Sequence, residues 1–155
     1  MTRTYVDSVL VRASEEARRM GSPLTEAEHL LLALTAEAEG DAPGLLSSAG
    51  LDRRGVQDAL QREFEHSLGT VGVSVADEEV LRPRESRRAP SGIGESGRRV
   101  IETGMANSRK KDLGPAHILL GILELKVGTV PRALALAEVD VEGLKARARA
   151  VVDGT

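Results

Sequence analysis

The chain has no cysteine and no tryptophan, and Tyr5 and Phe64 are its only phenol and phenyl side chains. Without thiols there can be no disulfide, no thiolate metal site and no cysteine nucleophile. With so few aromatic rings, a core must be built from Leu, Val, Ile and Ala, which suits helices packed on helices. No N-terminal stretch has the order of an export signal, and no apolar run approaches the ~18 residues of a membrane-spanning helix. The expectation is therefore a soluble, cytoplasmic protein with no membrane contact. No Gly-x-x-x-x-Gly-Lys-Ser/Thr loop occurs, so there is no phosphate cradle of that kind. No Gly-x-Ser-x-Gly elbow presents a serine nucleophile. The three histidines, His29, His66 and His117, have no second ligand at metal-binding spacing. These absences predict a non-enzyme with no catalytic residue, no cofactor and no metal.

What is present fits one compact domain: 155 residues, 41% hydrophobic, with a net charge of −3. The charge is uneven. Residues 1–64 carry seven basic against eleven acidic side chains, residues 65–81 add four acidic ones, and residues 82–155 carry fourteen basic against nine acidic. Ordinary solvated helix faces account for such a distribution, although it can also orient docking. Seventeen arginines against four lysines suit a GC-rich bacterial genome.

The decisive feature is an internal repeat. Glu28-His29-Leu30-Leu31-Leu32-Ala33-Leu34 corresponds to Ala116-His117-Ile118-Leu119-Leu120-Gly121-Ile122 at an offset of 88. The same offset pairs Gly40 with Gly128, Pro43 with Pro131, Leu46 with Leu134, Asp52 with Asp140 and Gly55 with Gly143. Upstream the offset becomes 91, so that Val9 meets Val100, Leu10 meets Ile101 and Arg18 meets Arg109. Turn residues and apolar positions match together.

Each copy reads as four helices. The first spans about 4–20, with Val6, Val9, Leu10, Ala13, Ala17 and Met20 on one stripe. The second, about 26–38, opens with Thr25 and Glu28 at capping-box spacing, and its Leu30–Leu34 run is apolar on nearly all sides. The third runs from near Asp41 to Gly50. The fourth starts at Asp52 as N-cap and turns Val56, Ala59, Leu60 and Phe64 inward. In the second copy the counterparts are about 95–110, 115–125, 130–137 and 141–152, with Gly114 as N-cap and Pro115 as first helical residue. The predicted fold is all-α, two four-helix repeats with pseudo-two-fold symmetry: repeat one at 1–65, a Pro/Gly-bearing linker at 66–94, and repeat two at 95–155. Val71, Val73 and Val75 alternate at strand spacing within that linker.

Ser14-Glu-Glu-Ala-Arg-Arg-Met-Gly21 followed by Ala27-Glu-His-Leu-Leu-Leu-Ala-Leu34 resembles the repeat of the Clp N-terminal domain family, and Ala116–Leu123 echoes it. The resemblance covers about residues 5–65 and 93–152. It implies eight helices in two related bundles and a non-catalytic role: receiving adaptor and substrate proteins for a hexameric ATPase that feeds a protease. It also implies a free-standing member without the ATPase modules, whose unfoldase activity is not carried over. A decoy that sequesters Clp-targeting peptides or clients is the alternative. Family members usually carry phenylalanine before each first helix, where Thr2 and Ile93 stand here, and the linker is longer than usual.

Thr25, Glu28 and His29 are the candidate ligand-binding residues. Some members of the family bind phosphoarginine through the Glu of the Glu-His pair. A carboxylate can hold the guanidinium while helix N-terminal amides receive the phosphate. The competing reading makes Glu28 a cap with Thr25, and makes His29 and His117 structural. In the second copy Ala116 replaces the carboxylate, so any such pocket would exist once. Arg82–Arg88, Arg98-Arg99 and Arg109–Lys111 raise a rival class, a small nucleic-acid binder. The negative overall charge and the lack of aromatic rings between the arginines count against it.

Overall fold

The computed structural model describes residues 4–37, 40–72, 85–108 and 113–154. Among them are eight helices and no strand: α1 (Tyr5–Arg19), α2 (Ala27–Thr35), α3 (Ala42–Ser48), α4 (Arg53–Thr70), α5 (Glu95–Asn107), α6 (Pro115–Leu123), α7 (Thr129–Leu136) and α8 (Val141–Asp153). The expected two four-helix repeats are there, α1–α4 and α5–α8. None of these helices is long and apolar enough to cross a membrane.

Polar caps start several helices. Thr4 accepts from the Asp7 N–H at 3.1 Å, Asp52 from Gly55 at 2.8 Å, and Asp140 from Gly143 at 3.0 Å. The amphipathic α1 buries Val9, Ala13 and Ala17 completely. α2 behaves differently. Leu30 to Leu34 are all at most 3% exposed, so this helix is enclosed on every side. It packs on α1, α3 and α4 of its own repeat and on α5, α6 and α7 of the other. α6 is its counterpart, with Ile118 to Leu123 buried. The repeats also exchange partners: α4 packs along α7, and α3 against α8, as a pseudo-two-fold axis requires. Each fully buried Leu or Ile contributes roughly 2 kcal/mol relative to exposure, so this apolar centre dominates the stability of both repeats together.

Three sequence expectations need correction. α4 runs to Thr70, past the boundary expected at 65, so His66 lies in a helix rather than opening a linker. Phe64 does not point into the core. It is 41% exposed, while its neighbour Glu63 is 5% exposed and held by Arg132 at 3.0 Å and Ser67 at 2.7 Å. Third, Thr25 does not cap α2. The N-cap is Glu26, whose backbone N–H donates to Nδ1 of His29 at 2.8 Å. The reason is tertiary. Thr25 is held extended by a parallel bridge to Ile93, donating to the Gly92 carbonyl and accepting from the Gly94 N–H, both at 2.9 Å. The helix therefore begins one residue later. The alternating valines at 73 and 75, and Arg109–Lys111, lie outside the described residues.

Repeat logic extends to backbone strain. α3 ends in a left-handed residue, Gly50 at φ 75°, after which Leu51 donates back to Leu46 at 2.8 Å. In repeat two the equivalent residue is Glu138, at φ 56°, followed by the same bond from Val139 to Leu134 at 3.1 Å. A side chain in this region costs about 1 kcal/mol or more, which glycine avoids. Glu138→Gly is therefore expected to stabilise the protein by roughly 0.5–1 kcal/mol once the looser unfolded chain is counted, and Gly50→Ala to destabilise it by roughly 1 kcal/mol. Thermal melts of the two variants check this; shifts in the same direction would rule out the strain argument.

Candidate functional site

The start of α2 carries two carboxylates that face opposite ways. Glu26 turns toward the second repeat. Its carboxylate lies where a Cβ on residue 94 would be, so a larger residue there would have to displace the Glu26 side chain. The Ser96 hydroxyl donates to Glu26 Oε1 at 2.9 Å and accepts from the Ala27 N–H at 2.9 Å. One serine thus satisfies a backbone donor of α2 and a carboxylate at once.

Glu28 turns toward a cleft of about 590 Å³ between the end of α1, α2 and α4. Met20, Leu32, Leu60 and Phe64 supply apolar surface there, with Thr129 of α7 at one edge. Glu28 forms no ion pair or side-chain hydrogen bond with any described residue. Burial raises its pKa; its own backbone N–H opposes the rise, while the charges of Glu26 and Glu63 add to it and Arg132 opposes. Arg132 is itself engaged by Glu63. The result is a desolvated carboxylate without a cation, at the wall of an open cleft.

Across the cleft the opposite arrangement holds. Glu16, 4% exposed on α1, receives both guanidinium nitrogens of Arg53 at 2.6 and 2.7 Å, and Arg19 at 3.3 Å. Burial alone would raise its pKa, but the hydrogen bonds and charge of Arg53, with Arg19, hold it below the ordinary value. The trio Glu16, Arg19 and Arg53 also lines a second cleft of about 390 Å³, shared with Arg12 and Ala33.

Of the three residues singled out in the sequence, the structure brings only Glu28 to this cleft. Thr25 is 3% exposed with both backbone groups used in the bridge, and His29 is 1% exposed. His29 Nδ1 accepts the N–H of the residue that caps its helix, as does His117, whose Nδ1 accepts from Gly114 at 3.1 Å. Ala116, 6% exposed, leaves repeat two without a matching carboxylate. Sequence reasoning missed Phe64, Met20 and Asp58 as cleft residues. An apolar residue in the last predicted turn of a helix carries no mark that separates core from surface. Among the described residues, no group of three or more His, Cys, Asp or Glu gathers where a metal could sit. Arg98 and Arg99 are exposed on α5.

Residues 2–82 match the Clp repeat (R) N-terminal domain family. The chain belongs to that family. It is 33% identical over 129 residues to the negative regulator of genetic competence ClpC/MecB of Bacillus subtilis, covering 81% of this chain and 14% of that protein. It is 32% identical over 146 residues to the ATP-dependent Clp protease ATP-binding subunit ClpC of Staphylococcus aureus, covering 92% of this chain and 16% of the relative. The chain therefore spans about one-seventh of the length of these curated relatives. The fold is shared with the crystal structure of the N-terminal domain of the caseinolytic protease associated chaperone ClpD from Arabidopsis thaliana, at a TM-score of 0.64 and 20% identity over 99% of this chain and 94% of that one.

The buried imidazole gives a pH signature. Burial pushes the pKa of His29 down from 6.5 to about 4, against the charges of Glu26 and Glu16. With Nδ1 accepting, the proton sits on Nε2, which has no hydrogen-bond partner among the described residues. Between those two values the unfolded chain binds the extra proton and the folded one does not. The contribution of His29 is therefore complete above about pH 6.5 and is lost as the pH falls toward 4, by roughly 3 kcal/mol at most. His29→Gln keeps an acceptor at the same helical position and should flatten this part of the profile. Melting both proteins from pH 4 to 7 checks it: parallel profiles would place the histidine in a solvated setting.

Proposed function

We propose that this domain receives segments of adaptor or client proteins in a Clp proteolytic system, and that the cleft beside Glu28 is where they dock. The observation that carries the reading is the combination of an unpaired, desolvated carboxylate with apolar walls, on the fold of a Clp chaperone's N-terminal domain. Apolar surface supplies affinity without direction, and a buried charge awaiting its partner supplies selection. A guanidinium suits Glu28 because it can bond to the carboxylate in a fork. Both unmodified arginine and phosphoarginine carry that group, and only repeat one has the carboxylate to meet it. The role requires no catalysis. The domain acts either as the receiving part of an unfoldase or as a decoy that withholds clients from one. We place it in the cytoplasm, since a chain without cysteine draws nothing from an oxidising compartment.

The test is competition. Purified domain, added in excess to a Clp unfoldase–protease reaction from the same cells, is expected to slow adaptor-dependent degradation of a labelled client. Degradation of a client that needs no adaptor serves as the control. Equal rates with and without the domain, at concentrations well above that of the adaptor, would exclude the receiving role.

A further inference from the structure

We infer that the second cleft, of about 390 Å³ between α1, α2 and the start of α4, is a docking site for an acidic side chain, an aspartate or glutamate presented by a partner protein. Glu28 takes no part in it, and the inference does not depend on what occupies the cleft beside that residue.

The site is built on α1. Arg12, Glu15, Glu16 and Arg19 stand at i, i+3, i+4 and i+7, one stripe of the helix. Facing them, α2 offers only Ala33 and Ala36, small residues that leave the space open, and α4 contributes its first residue, Arg53. The carboxylates around the cleft are already occupied. Glu15 receives two bonds from Arg18, at 2.7 and 3.0 Å. Glu16 is shared by Arg53 and Arg19. The buried carboxylate of Glu37 accepts from the Tyr5 hydroxyl at 2.6 Å and from Arg12 at 2.8 Å. Four guanidiniums thus meet three carboxylates, and the next acidic group, Glu85, is exposed and stands 3.8 Å from Arg18. Donors exceed acceptors in the same way. A guanidinium has several N–H groups, and Arg12 makes one hydrogen bond to the described residues. Its Nε is buried without a partner among them, a cost that an arriving acceptor would relieve.

Charge and shape select the ligand. One surplus positive charge at the cleft matches a carboxylate, whereas a phosphoryl group brings close to two negative charges. A carboxylate is planar and accepts the parallel N–H groups of a guanidinium in a fork. A free anion would gain little, because an ion pair open to water is weak. Carried on an extended segment, the same group also covers Ala36 and the hydrocarbon stems of the arginines.

The test is a titration of the isotope-labelled chain, read from its arginine Nε–Hε resonances. The probes are three capped hexapeptides of alanine and serine, with a central glutamate, glutamine or phosphoserine. The glutamate peptide should shift the Arg12 and Arg53 signals saturably. The glutamine twin should bind at least about tenfold more weakly, the loss of a charge-assisted bond, and the phosphoserine twin no more tightly. Added salt should weaken the glutamate peptide. Arg12→Gln should cost about tenfold or more. Because Arg12 also serves Glu37, a second variant leaves that pair intact: Ala36→Glu, at an exposed position, puts a carboxylate into the cleft from within. It should weaken the glutamate peptide at least about tenfold without lowering the melting temperature, while Ala36→Gln, of equal size and no charge, keeps most of the binding. No saturable shift, equal binding of the glutamine twin, tighter binding of the phosphoserine twin, or binding indifferent to Ala36→Glu would each overturn the assignment.

Discussion

The structure depends on one constraint: α2 is buried between the two repeats along nearly its whole surface. A helix start normally leaves its first N–H groups to water or to a capping side chain. Here the first turn is packed between two repeats, so each donor needs a partner from the chain. Glu26 donates to its own helix's His29, Ala27 to Ser96 of the second repeat, and the His29 and Leu30 amides to the Glu26 carbonyl at 3.1 and 3.2 Å. The residues leading into α5 supply the rest. Ser91 donates to Pro23 at 3.0 Å, and the Thr25–Ile93 bridge follows directly. The two segments before α2 and before α5 are zipped together because neither helix start could be buried otherwise.

That zip also positions the cleft. It sets the rotation of α2 about its axis, which sends Glu26 inward to Ser96 and leaves Glu28, two residues on, at the cleft wall. Residues two apart on a helix do not share a face, so one carboxylate can be structural while the other stays available. The α4–α7 packing supplies the far side, where Glu63 binds Arg132, whose charge partly offsets the burial of Glu28. The unpaired charge is thus a product of the arrangement around it. Removing Arg132 from Glu63 would be expected to reorganise the electrostatics of the whole cleft.

The pseudo-symmetry is a scaffold on which only one repeat has a carboxylate facing the cleft. Repeat two keeps the histidine pin, the buried second helix and the aspartate cap of the last helix, all of which serve packing. It has Gly114 and Ala116 where repeat one has Glu26 and Glu28. Of the two carboxylates that repeat two lacks, Glu26 holds Ser96 and Glu28 faces the cleft.

By itself the sequence determined the architecture. Leu30–Leu34 and Ile118–Leu123 are apolar all round, so each must lie at a centre, and the matched turn residues at a constant offset make two bundles of one pattern. Helix starts at Asp52, Pro115 and Asp140 could be read because their signals are local: an aspartate oxygen or a proline ring acts within one turn. The tertiary structure decided what depends on a neighbour distant in sequence. Thr25 looked like a cap, and Ile93 drew it into a bridge instead. Phe64 looked like core, yet the α4–α7 contact buries Glu63 and leaves the ring at the cleft. Glu28 could be read as a cap or as a ligand residue, and the structure puts Glu26 at the cap and Glu28 at the cleft wall. The arginines around it, Arg53, Arg19 and Arg132, are bonded to Glu16 and Glu63, and such pairing is a property of three-dimensional proximity that no spacing along the chain encodes.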